Sequence, residues 1–220
     1  MNDKKEIHRV FLIADLSGYT ALTEAHGNIS AAQIVSRYIE IVQEILDEGA
    51  QIAETVGDEV LIVGKDGAQI VQIALDLRDK VEKEPNFPTV HIGIHAGHVL
   101  EKDGRFFGSA LNITARVASY ARADQILCTN SVIEMLSERS AIKYSDLGEV
   151  NFKNLIEPIP LFEISDDHHK IDSLTDPVCR MRVKPDNAPA RLPYNGKIYF
   201  FCSFECAKAF VGRPDRYTNG

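Results

Sequence analysis

The sequence predicts a layered α/β (α+β) domain with helices covering a sheet, followed by a small second module. Strand-like and helix-like apolar periods alternate through the first 164 residues, which is the pattern of a sheet with packed helices. Short apolar runs end at turn formers such as Ser17-Gly18, which marks them as buried strands. The module is indicated by Cys179, Cys202 and Cys206, which follow a polar stretch, Ser165 to Asp172, without apolar periodicity.

Taken in order, Val10-Phe11-Leu12-Ile13-Ala14 reads as a central strand that carries Asp15 at its mouth. From Ser30 to Asp47, Ile34, Tyr38, Ile41, Ile45 and Leu46 recur at helical spacing, with Ser30 as N-cap and Gly49 as stop. Ile52 to Thr55 and Val60 to Val63 read as a hairpin whose turn, Val56-Gly57-Asp58-Glu59, puts a second carboxylate at its tip. Ile70, Ile73, Ala74 and Leu77 mark another helix, and Val90 to Val99 another strand. Gly108 to Tyr120 reads as a helix on which Asn112 and Arg116, one turn apart, share a face. Strands are expected at Ile126 to Thr129 and Pro160 to Ile164, with a helix from Ser131 to Glu138 between them.

Bulk properties narrow the function classes. The 220 residues are 45% hydrophobic and 25% charged, an ordinary globular composition. A formal net charge of -8 argues against nucleic acid or an anionic membrane as partner and leaves room only for a local phosphate site. No stretch approaches the roughly 18 apolar residues of a membrane span, and the N-terminus is polar, so a cytoplasmic protein is expected. In a reducing compartment the cysteine group suggests metal or thiol chemistry before disulfides.

Five strings then carry a resemblance. Phe11-Leu-Ile-Ala-Asp15-Leu-Ser-Gly18-Tyr-Thr20, Glu54-Thr-Val-Gly57-Asp58, His91-Ile-Gly-Ile-His-Ala-Gly97, Gly108-Ser-Ala-Leu-Asn112-Ile-Thr-Ala-Arg116 and Leu147-Gly-Glu-Val-Asn-Phe-Lys153 stand in one order. They resemble the motifs of the class III adenylate/guanylate cyclase catalytic domain. The resemblance implies a ferredoxin-like sandwich over residues 1–165, working as a head-to-tail homodimer with its active sites at the interface. It implies a nucleoside triphosphate substrate and two Mg²⁺ or Mn²⁺ ions at Asp15, Leu16 and Asp58. Carboxylate oxygens and phosphates suit such hard cations. Asn112 and Arg116 match the transition-state pair and Lys153 a polyphosphate contact, all three from the subunit opposite the aspartates.

Two positions bear on the base. Where ATP-specific members carry Lys, this chain has Glu54, whose carboxylate would accept from the N1 and N2 hydrogens of guanine. Arg105, seven residues before Asn112, fits neither standard pattern, although a guanidinium donates well to guanine O6. GTP is therefore expected over ATP, with a pyrimidine nucleotide left open. The competing expectation is a catalytically silent cyclase-like module for dimerisation or nucleotide binding. His91, His95 and His98 lie along one strand without glutamate or cysteine at ligand spacing and read as structural.

The tail, with residues 166–173 as linker and 174–220 as module, carries Cys-x22-Cys-x3-Cys spacing and resembles the YHS domain, a small treble-clef-like family related to heavy-metal-sensing modules. Cys179, Cys202 and Cys206 would make a soft site for Zn²⁺ or Cu⁺. A fourth position is open, or filled by water, Asp176, His168 or His169. A metal would stabilise a unit of about 45 residues, too small for a large core. The alternative is small buried cysteines within an aromatic core of Phe200, Phe201, Phe204, Phe210 and Tyr217. With metal bound, the module is expected to sense metal or redox state and bias the cyclase dimer.

Overall fold

In this computed structural model residues 6–137, 141–165 and 174–218 are described. The apolar run at Val10 is the middle of a long strand, β1 (Glu6–Leu16), and the hairpin partners are β2 (Ala50–Val56) and β3 (Glu59–Gly64). The sheet is completed by β4 (Val90–Lys102), β5 (Arg105–Phe107), β6 (Ile126–Thr129), β7 (Lys143–Val150) and β8 (Ile159–Ser165). Its order is β2-β3-β1-β4-β6-β8-β7, with β5 paired to β4. β4 and β6 run parallel, while β1 is antiparallel to both β3 and β4.

Strand alternation separates two faces. Val10, Leu12, Ala14 and Leu16 are buried with Ile62, Ile92 and Ile94 against α1 (Tyr19–Ile45) and α2 (Gly67–Lys83). Phe11 belongs to a separate cluster with Val63, Val99 and Ala110. There α3 (Ser109–Tyr120) crosses the sheet so closely that a Cβ on Gly93 would meet the Ala118 backbone nitrogen at 2.2 Å.

Two local expectations are corrected and two strands are added. The first helix begins at Tyr19, not Ser30, after Gly18 in left-handed backbone, and is broken at Gly27 (φ 80). Its first segment packs Leu22, Tyr19 and Ala25 against the C-terminal module, so its apolar residues follow a different core from the rest of the helix. The helix after β6 is α4 (Asn130–Ile133), continued only by turns as far as the described residues run. β5 and β7 were not expected. β7 has no alternation to read because seven of its eight residues are exposed.

The module holds the short pair β9 (Leu174–Thr175) and β10 (Arg182–Val183), the hairpin β11 (Ala190–Tyr194) and β12 (Lys197–Phe201), α5 (Phe204–Gly212) and α6 (Pro214–Thr218). Asn195 and Gly196, both at positive φ (47 and 75), make the two-residue hairpin turn. Of the expected aromatic core, Phe201 and Phe210 are buried and Tyr217 stacks on Phe210, but Phe204 is 70% exposed. The missing apolar surface comes from the first domain: Leu22 and Ala31 of α1 complete the cluster with Val178, Met181, Phe201 and Phe210. Arg182 forms a buried ion pair with Asp124, its backbone N–H donates to Phe87 O at 3.1 Å, and Arg216 meets Glu24 at 2.9 Å. The expected linker, with His168 and His169, lies outside the described residues. No helix among the described residues is long and apolar enough to cross a membrane.

Candidate functional site

Asp15 lies one residue from the end of β1, where alternation turns it away from the α1/α2 core. Asp58 occupies the β2–β3 turn, opened by Gly57 at φ 63, a backbone state that glycine reaches at little cost. Each of the two carboxyls alters the ionisation of the other. Burial, then the Asp15 charge, pushes the Asp58 pKa up to about 6, and burial raises Asp15 as well. Two half-buried carboxyls that resist ionising side by side are an oxygen donor set that a divalent cation would relieve, so these residues fit Mg²⁺ or Mn²⁺. The Leu16 side chain is 2% exposed in the core, so only its backbone carbonyl would face such an ion.

His91 contacts the Asp15 carboxyl. It stands directly opposite Asp15 across β1 and β4, its Nε2 3.5 Å from Asp15 Oδ2 and its Nδ1 3.2 Å from Ser17 Oγ. Burial holds its pKa below the ordinary imidazole value, against the pull of Asp58. Spacing along β4 could not reveal this, because the partner lies on another strand. His95 is structural: it bonds Thr129 Oγ1 at 2.8 Å through Nδ1, and burial lowers its pKa to about 4. His98 packs edge-on against His8.

A cleft of about 680 Å³ opens on the α3 side of the sheet. Glu54, Arg105 and Asn112 line it together with Ile13, Ala53 and Leu61. Glu54 reaches this face through a β-bulge: Ile52 pairs with Ile62, yet Glu54 pairs with Leu61, so Ala53 is the extra residue. In unbroken register Glu54 would oppose Val60 on the buried α1/α2 face. Arg116 is exposed one turn along α3 from Asn112. Lys153, also exposed, follows Phe152, which packs edge-on against Tyr120 at the end of α3. Among the described residues lining the cleft, neither Asp15 nor Asp58 appears; its rim reaches Glu59.

Residues 3–162 match the family described as the adenylate and guanylate cyclase catalytic domain. The chain belongs to that family. Residues 174–220 match the YHS domain. A pH-sensitive adenylate cyclase of Mycobacterium tuberculosis is 27% identical over 154 residues, 69% of this chain and 39% of that protein. An adenylate cyclase of Glutamicibacter nicotianae is 33% identical over 115 residues, 52% of this chain and 28% of that protein. The chain thus spans well under half the length of these relatives. Among solved structures, an adenylate cyclase from Trypanosoma brucei in its monomeric state superposes with TM-score 0.66 at 20% identity, covering 71% of this chain and 87% of that one. The adenylyl cyclase CyaB from P. aeruginosa gives 0.65 at 19%, covering 75% and 97%. These likenesses establish the cyclase fold for the first domain.

In the YHS domain the three cysteines converge. Cys179 and Cys202 sulfurs are 3.3 Å apart and those of Cys202 and Cys206 3.8 Å. The other cysteine sulfurs hold Cys206 well below the usual thiol range and push Cys179 up. Asp176, one of the alternatives for a fourth partner, is fully buried and accepts from the backbone N–H groups of Val178 (2.8 Å) and Cys179 (3.4 Å) through Oδ1 and of Cys202 (2.8 Å) through Oδ2. Its oxygens shape the knuckle instead. The residue that does approach is His26 of the cyclase domain, whose Nε2 lies 3.5 Å from both Cys202 Sγ and Cys206 Sγ.

Proposed function

We propose that the chain is a nucleotidyl cyclase that converts a nucleoside triphosphate, GTP in preference to ATP, to its 3',5'-cyclic monophosphate and pyrophosphate. The single observation that carries this reading is the joint placement of Glu54, Arg105 and Asn112 in one cleft. Divalent cations held by Asp15, Asp58 and the Leu16 carbonyl would supply Lewis acidity toward the 3'-hydroxyl and the phosphates. In the reaction the 3'-hydroxyl loses its proton to solvent water as its oxygen bonds to the α-phosphorus, and the bond to the bridging oxygen breaks so that pyrophosphate leaves with the electron pair.

The chain's own residues divide the remaining work. Asn112 would orient the ribose, and Arg116 would offset charge growing on the α-phosphate through its fixed fork of donors. Lys153 would meet the polyphosphate as a point charge. Glu54 accepts from guanine N1 and N2, and Arg105 donates to O6. Exposed Val56 and Phe107, at 63% and 50%, lie on the same cleft, which favours a second copy covering it. In that head-to-tail dimer the aspartates of one protomer would face the Asn112 and Arg116 of the other.

The test is chromatographic: purified protein with Mn²⁺ and each of ATP, GTP, CTP and UTP. A cyclic product formed fastest from GTP and abolished by Asp58→Ala supports the reading. Faster turnover of ATP removes the base assignment. No cyclic product from any nucleotide, in folded dimeric protein, makes the silent nucleotide-binding module the better account.

A further inference from the structure

We propose that Cys179, Cys202, Cys206 and His26 together bind one Zn²⁺ ion, and that this site fastens the first helix of the cyclase domain to the YHS domain. The four ligand atoms all lie within 4.8 Å of one another. Around a tetrahedral zinc with ordinary bond lengths, sulfurs sit about 3.8 Å from each other and about 3.6 Å from a ligating nitrogen. The observed separations are 3.3 and 3.8 Å between sulfurs and 3.5 Å twice between sulfur and Nε2. A disulfide needs about 2.0 Å between sulfurs and would leave the third thiol and the imidazole without a role.

The surroundings are built to hold these atoms in place. Asp176 anchors the backbone of both Cys179 and Cys202. Ser203, the N-cap of α5, accepts from the Cys206 N–H at 3.1 Å, which seats Cys206 in the first turn of that helix. Thiolates are stabilised at such a position. On the other side, His26 is the last residue before the Gly27 break in α1. Its segment is pressed onto the YHS domain by Leu22, Tyr19 and Ala25, and Glu24 pairs with Arg216. Three ligands thus come from one domain and the fourth from the other. An imidazole together with three thiolates is a closed structural set for zinc, whereas Cu⁺ is satisfied by the sulfurs alone.

The consequence is mechanical. The segment Tyr19–His26 starts immediately after Gly18, two residues beyond the Leu16 end of β1, so the clasp holds the chain just past the Asp15 site. Loss of the ion would release that segment.

The experiment uses the full chain, stripped of metal and titrated with Zn²⁺ in competition with a chelator, and separately with Co²⁺ and with Cu⁺. One Zn²⁺ per chain is expected, with the strong visible absorption of tetrahedral cobalt in the Co²⁺ form. His26→Ala should weaken Zn²⁺ at least 100-fold and change that spectrum, and His26→Cys should restore tight binding as a four-cysteine site. Hydrogen exchange across Tyr19 to His26 should slow on adding Zn²⁺ to the wild type and remain unchanged in His26→Ala. Equal Zn²⁺ affinity and identical cobalt spectra in wild type and His26→Ala would overturn the proposal, as would uptake of Cu⁺ alone.

Discussion

Glu54 stands opposite Leu61, one residue out of the register that Ile52 and Ile62 set. A single extra residue, Ala53, therefore decides whether this carboxylate enters the buried face or the cleft. Deleting Ala53 should turn Glu54 toward the core, lower thermal stability and reduce turnover at least 100-fold. Glu54→Lys leaves the ladder intact and changes an exposed side chain, so its melting temperature should stay within about 2 °C of wild type. Its ratio of GTP to ATP turnover should fall at least tenfold. Kinetics on both nucleotides and a melting curve for each variant check the pair.

Asp58 gives a pH signature. Its folded pKa, about 6, lies above its ordinary value, so the native state holds this proton more tightly than the unfolded chain. Its contribution to stability is present below pH 4 and is lost as pH rises through about 6. In metal-free buffer at pH 7.5, Asp58→Asn should therefore melt on the order of 2 °C higher than wild type, and the difference should vanish near pH 4. Mn²⁺ must displace the proton, so calorimetric Mn²⁺ affinity of the wild type should fall steeply below pH 6.

His91 braces Asp15 from the neighbouring strand. His91→Ala should weaken Mn²⁺ binding about 10- to 100-fold, the usual cost of losing a group that orients a ligand. Much of the rate should return at saturating Mn²⁺, which separates a positioning role from loss of fold. Rates measured across a Mn²⁺ titration distinguish the two.

Gly18 allows the YHS domain to sit against the end of β1. At φ 82, with Arg180 Cβ 2.4 Å from where a Cβ would fall, Gly18→Ala should cost about 1–2 kcal/mol from backbone conformation alone, and more from the clash. Arg180 itself has φ 64, so Arg180→Gly removes the obstruction at no backbone cost. The double variant should regain part of the stability lost by Gly18→Ala, measured by denaturant unfolding.

What could be read in advance divides along a physical line. β1, the β2–β3 hairpin, α2 and β6 each carry a local apolar period, and Asp15 and Asp58 stand at strand mouth and turn tip where those periods stop. The segment Tyr19–His26 was missed because Leu22 and Ala25 answer to the module's core, far away in sequence. β7 was missed because Tyr144 and Leu147 are both exposed and no buried face repeats. The bulge at Ala53, the His91–Asp15 pair and the approach of His26 to the cysteines arise from cross-strand register and domain docking, which no spacing rule encodes.

In the proposed dimer each protomer would supply the Asp15 and Asp58 carboxyls to one site and the Asn112 and Arg116 pair to the other. The most direct measurement mixes Asp58→Ala with Arg116→Ala protein, each inactive alone, and follows cyclic nucleotide formation. Random pairing gives half of all dimers as mixed dimers, each with one intact site, so about one quarter of wild-type activity should return. No recovery from the mixture, with mixed dimers demonstrated by tag pull-down, would contradict the account.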